Sequence, residues 1–134
     1  MHYGILQISS NINFILNNEI SNNYIGLKLV KSNNNIIRKN NISKNEYGIN
    51  LSESNYNLFS KNNFIDNFNY HSYFIYSHFN LWLNNYWDDW ISLLPKPIIG
   101  KIKLNIKDTE INLQWYNYEW HPAKEPFDIG GDWQ

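Results

Sequence analysis

Apolar residues in this chain come in short alternating runs, never in long blocks, and the runs return at a fixed interval. Ile15, Ile37 and Phe59 stand 22 residues apart, as do Ile20, Ile42 and Phe64, and Ile5, Leu27 and Ile49. Polar residues keep the same interval: Asn18, Asn40 and Asn62; Asn23, Asn45 and Asn67; Asn13, Asn35 and Asn57; and the pairs Ser10-Asn11, Ser32-Asn33 and Ser54-Asn55. Gly4, Gly26 and Gly48 form a further column. Each apolar run suits a strand of about 3–5 residues and is too short for a helix. A 22-residue unit therefore reads as three strands and three bends, one turn of a solenoid. Successive turns stack as parallel strands about 4.8 Å apart.

The pattern predicts an all-β, right-handed parallel β-helix with coils at about residues 3–24, 25–46, 47–68 and 69–90. The fourth is degenerate. Adding 22 to Phe59, Asn62 and Phe64 gives Leu81, Asn84 and Tyr86, which fit, whereas Gly48 and Ile49 lead to Tyr70 and His71, which do not. The aromatic stretch from Tyr70 to Phe79 is expected to bulge as a loop. Beyond Trp90, Pro95 and Pro97 break the pattern. Ile102, Leu104 and Ile106, an Asp108-Thr109 turn, and Ile111, Leu113 and Trp115 then predict a β-hairpin. Residues 91–134 read as a cap made of this hairpin and an irregular tail holding Pro122, Pro126 and Gly130-Gly131.

Composition sharpens this picture at one point: 25 residues are Asn. Scattered Asn would indicate turn formers, which tolerate the left-handed backbone region. Strict columns instead predict amide-to-amide ladders along the axis. Net charge is −1, from 11 basic and 12 acidic side chains, so no footprint for nucleic acid or anionic lipid exists. No apolar run is long enough to span a membrane, and residues 1–20 lack signal-peptide character. With no cysteine there are neither disulfides nor thiolate metal sites, and no cofactor motif is present.

The columns, written N-x-I-x-x-N-x-I-x-x-N before Tyr47-Gly48-Ile49, resemble the parallel β-helix repeats (PbH1 type) of the NosD-like family over about residues 3–87. Asn85-Tyr86-Trp87-Asp88-Asp89-Trp90 resembles the terminator, and Trp120 to Ile129 the tail, of archaeal surface proteins with such repeats. That resemblance implies a cell-surface or extracellular scaffold, contact with polysaccharide or surface glycan, and further coils upstream, this chain being the C-terminal piece. It also brings in two alternatives: a remnant carbohydrate-active enzyme of lyase or hydrolase type, and a copper-handling protein.

Candidate chemistry is sparse. The six tryptophans lie between Trp82 and Trp133. They read as a cap over the open end of the solenoid or, at Trp82, Tyr86, Trp87 and Trp90, as a platform for sugar rings. Asp88 and Asp89, adjacent in a strand, would face opposite sides and form no carboxylate pair, although in a bend one could cap a turn. Glu53 and Asp66 have no recurring basic partner. A lyase would need acidic residues gathered near Arg38, the only arginine. Copper would need converging His, Met or Cys donors. Of His2, His71, His78 and His121, His71 and His78 meet only if the aromatic stretch folds back, and His121 is expected to bond the tail backbone. No metal or catalytic set is assigned. Lys28, Asn50 and Lys61 are candidates for an outward polar groove. Asn41-Ile42-Ser43 and Asn50-Leu51-Ser52 match the glycosylation sequon.

Overall fold

The computed structural model describes residues 2–129, so Met1, Trp133 and the Gly130-Gly131 pair lie outside the described residues. Each of the first three coils carries one six-residue strand and two three-residue strands. These are β1 (Tyr3–Ile8), β2 (Phe14–Leu16) and β3 (Glu19–Ser21); β4 (Ile25–Val30), β5 (Ile36–Arg38) and β6 (Asn41–Ser43); β7 (Tyr47–Ser52), β8 (Leu58–Ser60) and β9 (Asn63–Ile65). The fourth coil holds β10 (Tyr70–Ile75), β11 (Leu81–Leu83) and β12 (Tyr86–Trp87). Like strands pair in parallel, giving sheets ordered β1-β4-β7-β10, β11-β8-β5-β2 and β12-β9-β6-β3. Ile15, Ile37 and Phe59 are neighbours in register, as are Ile20, Ile42 and Phe64. The chain is a parallel β-helix.

The bends explain where asparagine is used. The left-handed backbone positions are held by residues such as Ile12, Lys39, Tyr56 and Phe79, and each ladder residue follows directly after one. Asn40, fully buried, shows the bonding: its Nδ2 donates to Asn62 Oδ1 (3.1 Å) and to Ile15 O (2.8 Å), while its backbone N–H donates to Asn62 Oδ1 (3.0 Å). One amide thus satisfies the backbone of two coils at a bend where strand pairing stops. A serine ladder runs parallel to it, with the N–H of Ser10, Ser32 and Ser54 donating to Oγ of Ser32, Ser54 and Ser77. The glycine column has a steric cause. A Cβ on Gly26 would sit 2.7 Å from Gly48 O and 2.9 Å from Asn45 Nδ2.

The fourth coil corrects the expected register. Tyr70 to Ile75 form a full strand, not a loop, and pair with β7 at an offset of 23. One residue is added between Phe68, still in the old register (N–H to Asn45 O, 2.9 Å), and Tyr70. From there Phe59 meets Trp82, Phe64 meets Trp87, and Asn57 and Asn62 bond Asn80 and Asn85. Leu81, Asn84 and Tyr86 are therefore not the column members. The hairpin is β13 (Lys96–Ile106) and β14 (Thr109–Glu119), joined by Lys107 and Asp108, both with positive φ, as a two-residue turn of the primed type demands. β13 adds to β10 through Phe74–Gly100 and Ile75–Lys101, and β14 is the outer edge.

The ladder terminus and a tyrosine groove as candidate sites

Two places collect polar or aromatic chemistry. The first closes the ladders at the C-terminal end. Asn85 has no further asparagine above it. Glu119, arriving on β14, takes that place: Oε2 accepts the Asn85 N–H (2.8 Å) and Oε1 its Nδ2 (2.6 Å). Glu119 is fully buried, and burial pushes its pKa up to about 7 against the opposing pull of the Asn85 hydrogen bonds. The Trp87 indole N–H lies close enough to favour the ionised form, yet falls outside hydrogen-bonding geometry.

The ladder through Asn23, Asn45 and Asn67 ends differently. His71 stands in the glycine column of the last coil, where no further coil crowds a side chain. Asn67 Nδ2 lies 2.9 Å from His71 Nδ1, which fixes that nitrogen as acceptor and leaves Nε2–H to donate to Asp88 Oδ1 (2.7 Å). Asp88 Oδ2 accepts the Asp66 N–H (2.7 Å), so Asp88 continues the bend capping by one more layer. Asp89 Oδ1 lies 3.6 Å from His71 Nε2 and 3.3 Å from Lys96 Nζ. The adjacent aspartates are thus brought to one imidazole, contrary to the opposite facing expected of a strand. They sit in a turn, where alternation does not apply.

This cluster borders a pocket of about 100 Å³. Both His71 nitrogens are engaged within the fold, so the ring offers no lone pair to a substrate. His71, Asp88 and Asp89 bring ligand atoms within 4.8 Å of one another, an imidazole and two carboxylates of the N,O kind that Cu(II) or Zn(II) accepts. As the side chains stand, the Nε2 proton is donated to Asp88 and Lys96 holds Asp89. His78 lies beyond the far end of β10 from His71, and His2 and His121 are exposed. Among the described residues no acidic cluster gathers at Arg38, whose groove of about 200 Å³ is lined by Leu16, Asn17 and Lys39.

The tryptophans are divided. Trp82 and Trp87 are buried rungs, stacked on Phe59 and Phe64 with centroids 4.1 Å apart in both pairs. Their faces are covered by the core and cannot serve as sugar platforms. Trp90 is half-buried against that core under Lys96, and Tyr86 is half-exposed. The tail runs back down the outer side: Asn63 exchanges two hydrogen bonds with the Phe127 backbone (both 2.8 Å), and Asn41 Nδ2 reaches Ile129 O (3.4 Å). The Asn41 sequon thus lies beneath the tail.

The second place was not singled out in the sequence. Tyr24, in the bend before β4, and Tyr47 and Tyr70, the first residues of β7 and β10, follow one another at 5.4 and 5.9 Å between centroids, and Tyr73 lies 5.2 Å from Tyr70. They line a groove of about 310 Å³ together with Ile25, Asn50 and Ile75. Lys28 sits in register beside Asn50 and donates to its Oδ1. Lys61 is elsewhere, in the bend between β8 and β9, and does not join them. The available signal was Tyr47 and Tyr70 at the new 23-residue offset.

No curated protein matches the chain in sequence. A crystal structure of a point mutant of the periplasmic alginate epimerase AlgG matches with a TM-score of 0.65 at 23% identity, over 96% of this chain and 33% of that one. At that identity the match speaks for the fold alone, and this chain spans about a third of the epimerase's length. Residues 1–92, the coils and their terminator, match the family described as "Periplasmic copper-binding protein (NosD)", and the chain belongs to that family.

Proposed function

We propose that this chain is a non-catalytic β-helix module of the cell envelope that binds an extended glycan along the tyrosine groove of its long sheet. The observation that carries this reading is the row of neighbouring rings formed by Tyr24, Tyr47 and Tyr70. Sugar rings stack their apolar faces on aromatic rings, and a solenoid repeats that contact at about 4.8 Å, close to the length of one sugar unit. The phenol of Tyr24, its pKa raised further by neighbouring Tyr47, is a protonated hydrogen-bond donor at neutral pH, as any tyrosine is. Placement in the envelope is supported by the periplasmic description of the family and of the solved epimerase.

A catalytic reading would need a free base, and His71 has none to give. Copper handling would need an ion to displace the His71 Nε2 proton and the Lys96 contact from the His71, Asp88 and Asp89 cluster. The test is titration of the purified chain with a panel of soluble polysaccharides, beside Tyr47→Ala and Tyr70→Ala. Binding by the wild type, weakened about tenfold or more in either variant, supports the groove. Binding that ignores both substitutions removes it.

A further inference from the structure

The groove also carries a charge pattern. Lys28 is half-buried on β4, and its partner is the neutral amide of Asn50. Lys101 stands on the same outer face three strands further along, on β13 opposite Ile75, with its Nζ over the Tyr76 ring at 5.6 Å. Of the carboxylates bordering this face, Glu110 pairs with Lys103 at 3.4 Å, whereas Glu46, next to Tyr47, accepts from the neutral amide of Asn69 at 2.9 Å and keeps its charge. Among the described residues neither Lys28 nor Lys101 has a carboxylate partner within ion-pair distance. Two cations therefore stand on the β4 and β13 sides of the tyrosines, three strand steps of about 4.8 Å apart and two residues out of register, so about 16 Å in all. A half-buried ammonium whose partner is a neutral amide has lost hydration that an incoming anion would offset. Burial lowers the Lys28 pKa, in keeping with that loss.

We infer that the groove selects an acidic polysaccharide, a chain carrying ring carboxylates, with Lys28 and Lys101 pairing to carboxylates on either side of the stacked rings. This deepens the glycan reading and rests on it. Lys28 supplies a fixed contact near the Tyr47 ring, and Lys101 a more exposed one at the hairpin.

The experiment is calorimetry of the whole chain with oligogalacturonate and with the same oligomer after reduction of its carboxyl groups. Both are run at low and at high salt, for the wild type and for the Lys28→Gln and Lys101→Gln pair of substitutions. The expected result is at least tenfold tighter binding of the acidic oligomer. That advantage shrinks in high salt and is lost in the double variant, whose melting temperature stays within a few degrees of wild type. Equal binding of acidic and reduced oligomers overturns the charge selection while leaving the glycan reading in place. An acidic preference that survives in the double variant also overturns it, since the charge would then be read elsewhere. Binding of neither oligomer overturns the inference; failure across the whole polysaccharide panel removes the glycan reading too.

Discussion

Individual residues in this fold are chosen by what stands one coil away, and Glu119 shows it most clearly. It does for Asn85 what Asn85 does for Asn62, with a carboxylate in place of an amide. The cost is a titration. With its pKa raised from 4.5 to about 7, the protonated form is favoured in the fold, so the stability it contributes is complete below pH 4.5 and is lost as pH rises through about 7. The chain should be more stable at pH 5 than at pH 8, by a margin on the order of 3 kcal/mol if no other group offsets it. Glu119→Gln, which keeps an acceptor for Asn85 and never ionises, should flatten the dependence. Urea unfolding at the two pH values checks this, and an unchanged slope in the variant assigns the effect elsewhere. Backbone positions give an opposing pair. Gly26→Ala forces a Cβ into Gly48 O and should cost about 2 kcal/mol or more. Lys39→Asn, at an exposed residue with φ of 55°, should gain a few tenths to about 1 kcal/mol, because Asn tolerates the left-handed region better. Denaturation midpoints with unchanged slopes would register both.

At the level of the coil, the three early turns were legible because each column is repeated by the same residue or a close substitute: Ile over Ile over Phe, Asn over Asn. The fourth was misread for a physical reason. A parallel β-helix accepts an extra residue at a bend, where no strand pairing fixes the count, and here the addition falls between Phe68 and Tyr70. The strict interval then pointed at Leu81 and Tyr86, whereas Trp82 and Trp87 fill the core. The signal was present. Ser77, Asn80 and Asn85 all stand 23 after their counterparts Ser54, Asn57 and Asn62. The roles of Glu119, and of His71 with Asp88, could not be read along the chain, since a hairpin and a turn must first carry them to the ladder ends. The same coil yields a packing test. Trp82→Ala removes a ring stacked at 4.1 Å on Phe59 and should cost about 3–5 kcal/mol, whereas Trp120→Ala, at an exposed ring, should cost less than about 1 kcal/mol. Similar losses at both positions would contradict the division into core rungs and surface rings.

Taken whole, the molecule has two unlike ends. At one, the hairpin continues the long sheet, Glu119 and the His71–Asp88 pair close two amide ladders, and the tail ties back to Asn63. At the other, β1, β2 and β3 are all edge strands, and Leu6, Ile8, Ile12, Phe14 and Leu16 are exposed. The ladder chemistry there is unfinished as well. In the second and third coils each ladder asparagine Nδ2 donates to a carbonyl 25 residues back, as Asn35 does to Ser10 O and Asn40 to Ile15 O, and in the fourth to one 26 back. In the first coil, Asn18 Nδ2 has only Asn40 Oδ1, and Asn13 turns to Ser10 and Asn11. Unpaired strand edges beside exposed apolar side chains form a template for another β surface. The chain as described should therefore associate as its concentration rises, through this end and through the β14 edge, where Ile111, Leu113 and Trp115 are also exposed. Ile8→Lys together with Phe14→Lys, both at exposed positions, should shift sedimentation toward monomer, and by more than Ile111→Lys on the single hairpin edge. A chain that stays monomeric at millimolar concentration would show that this end is self-sufficient, with Gln7, an inward polar side chain in the first coil, serving as its cap.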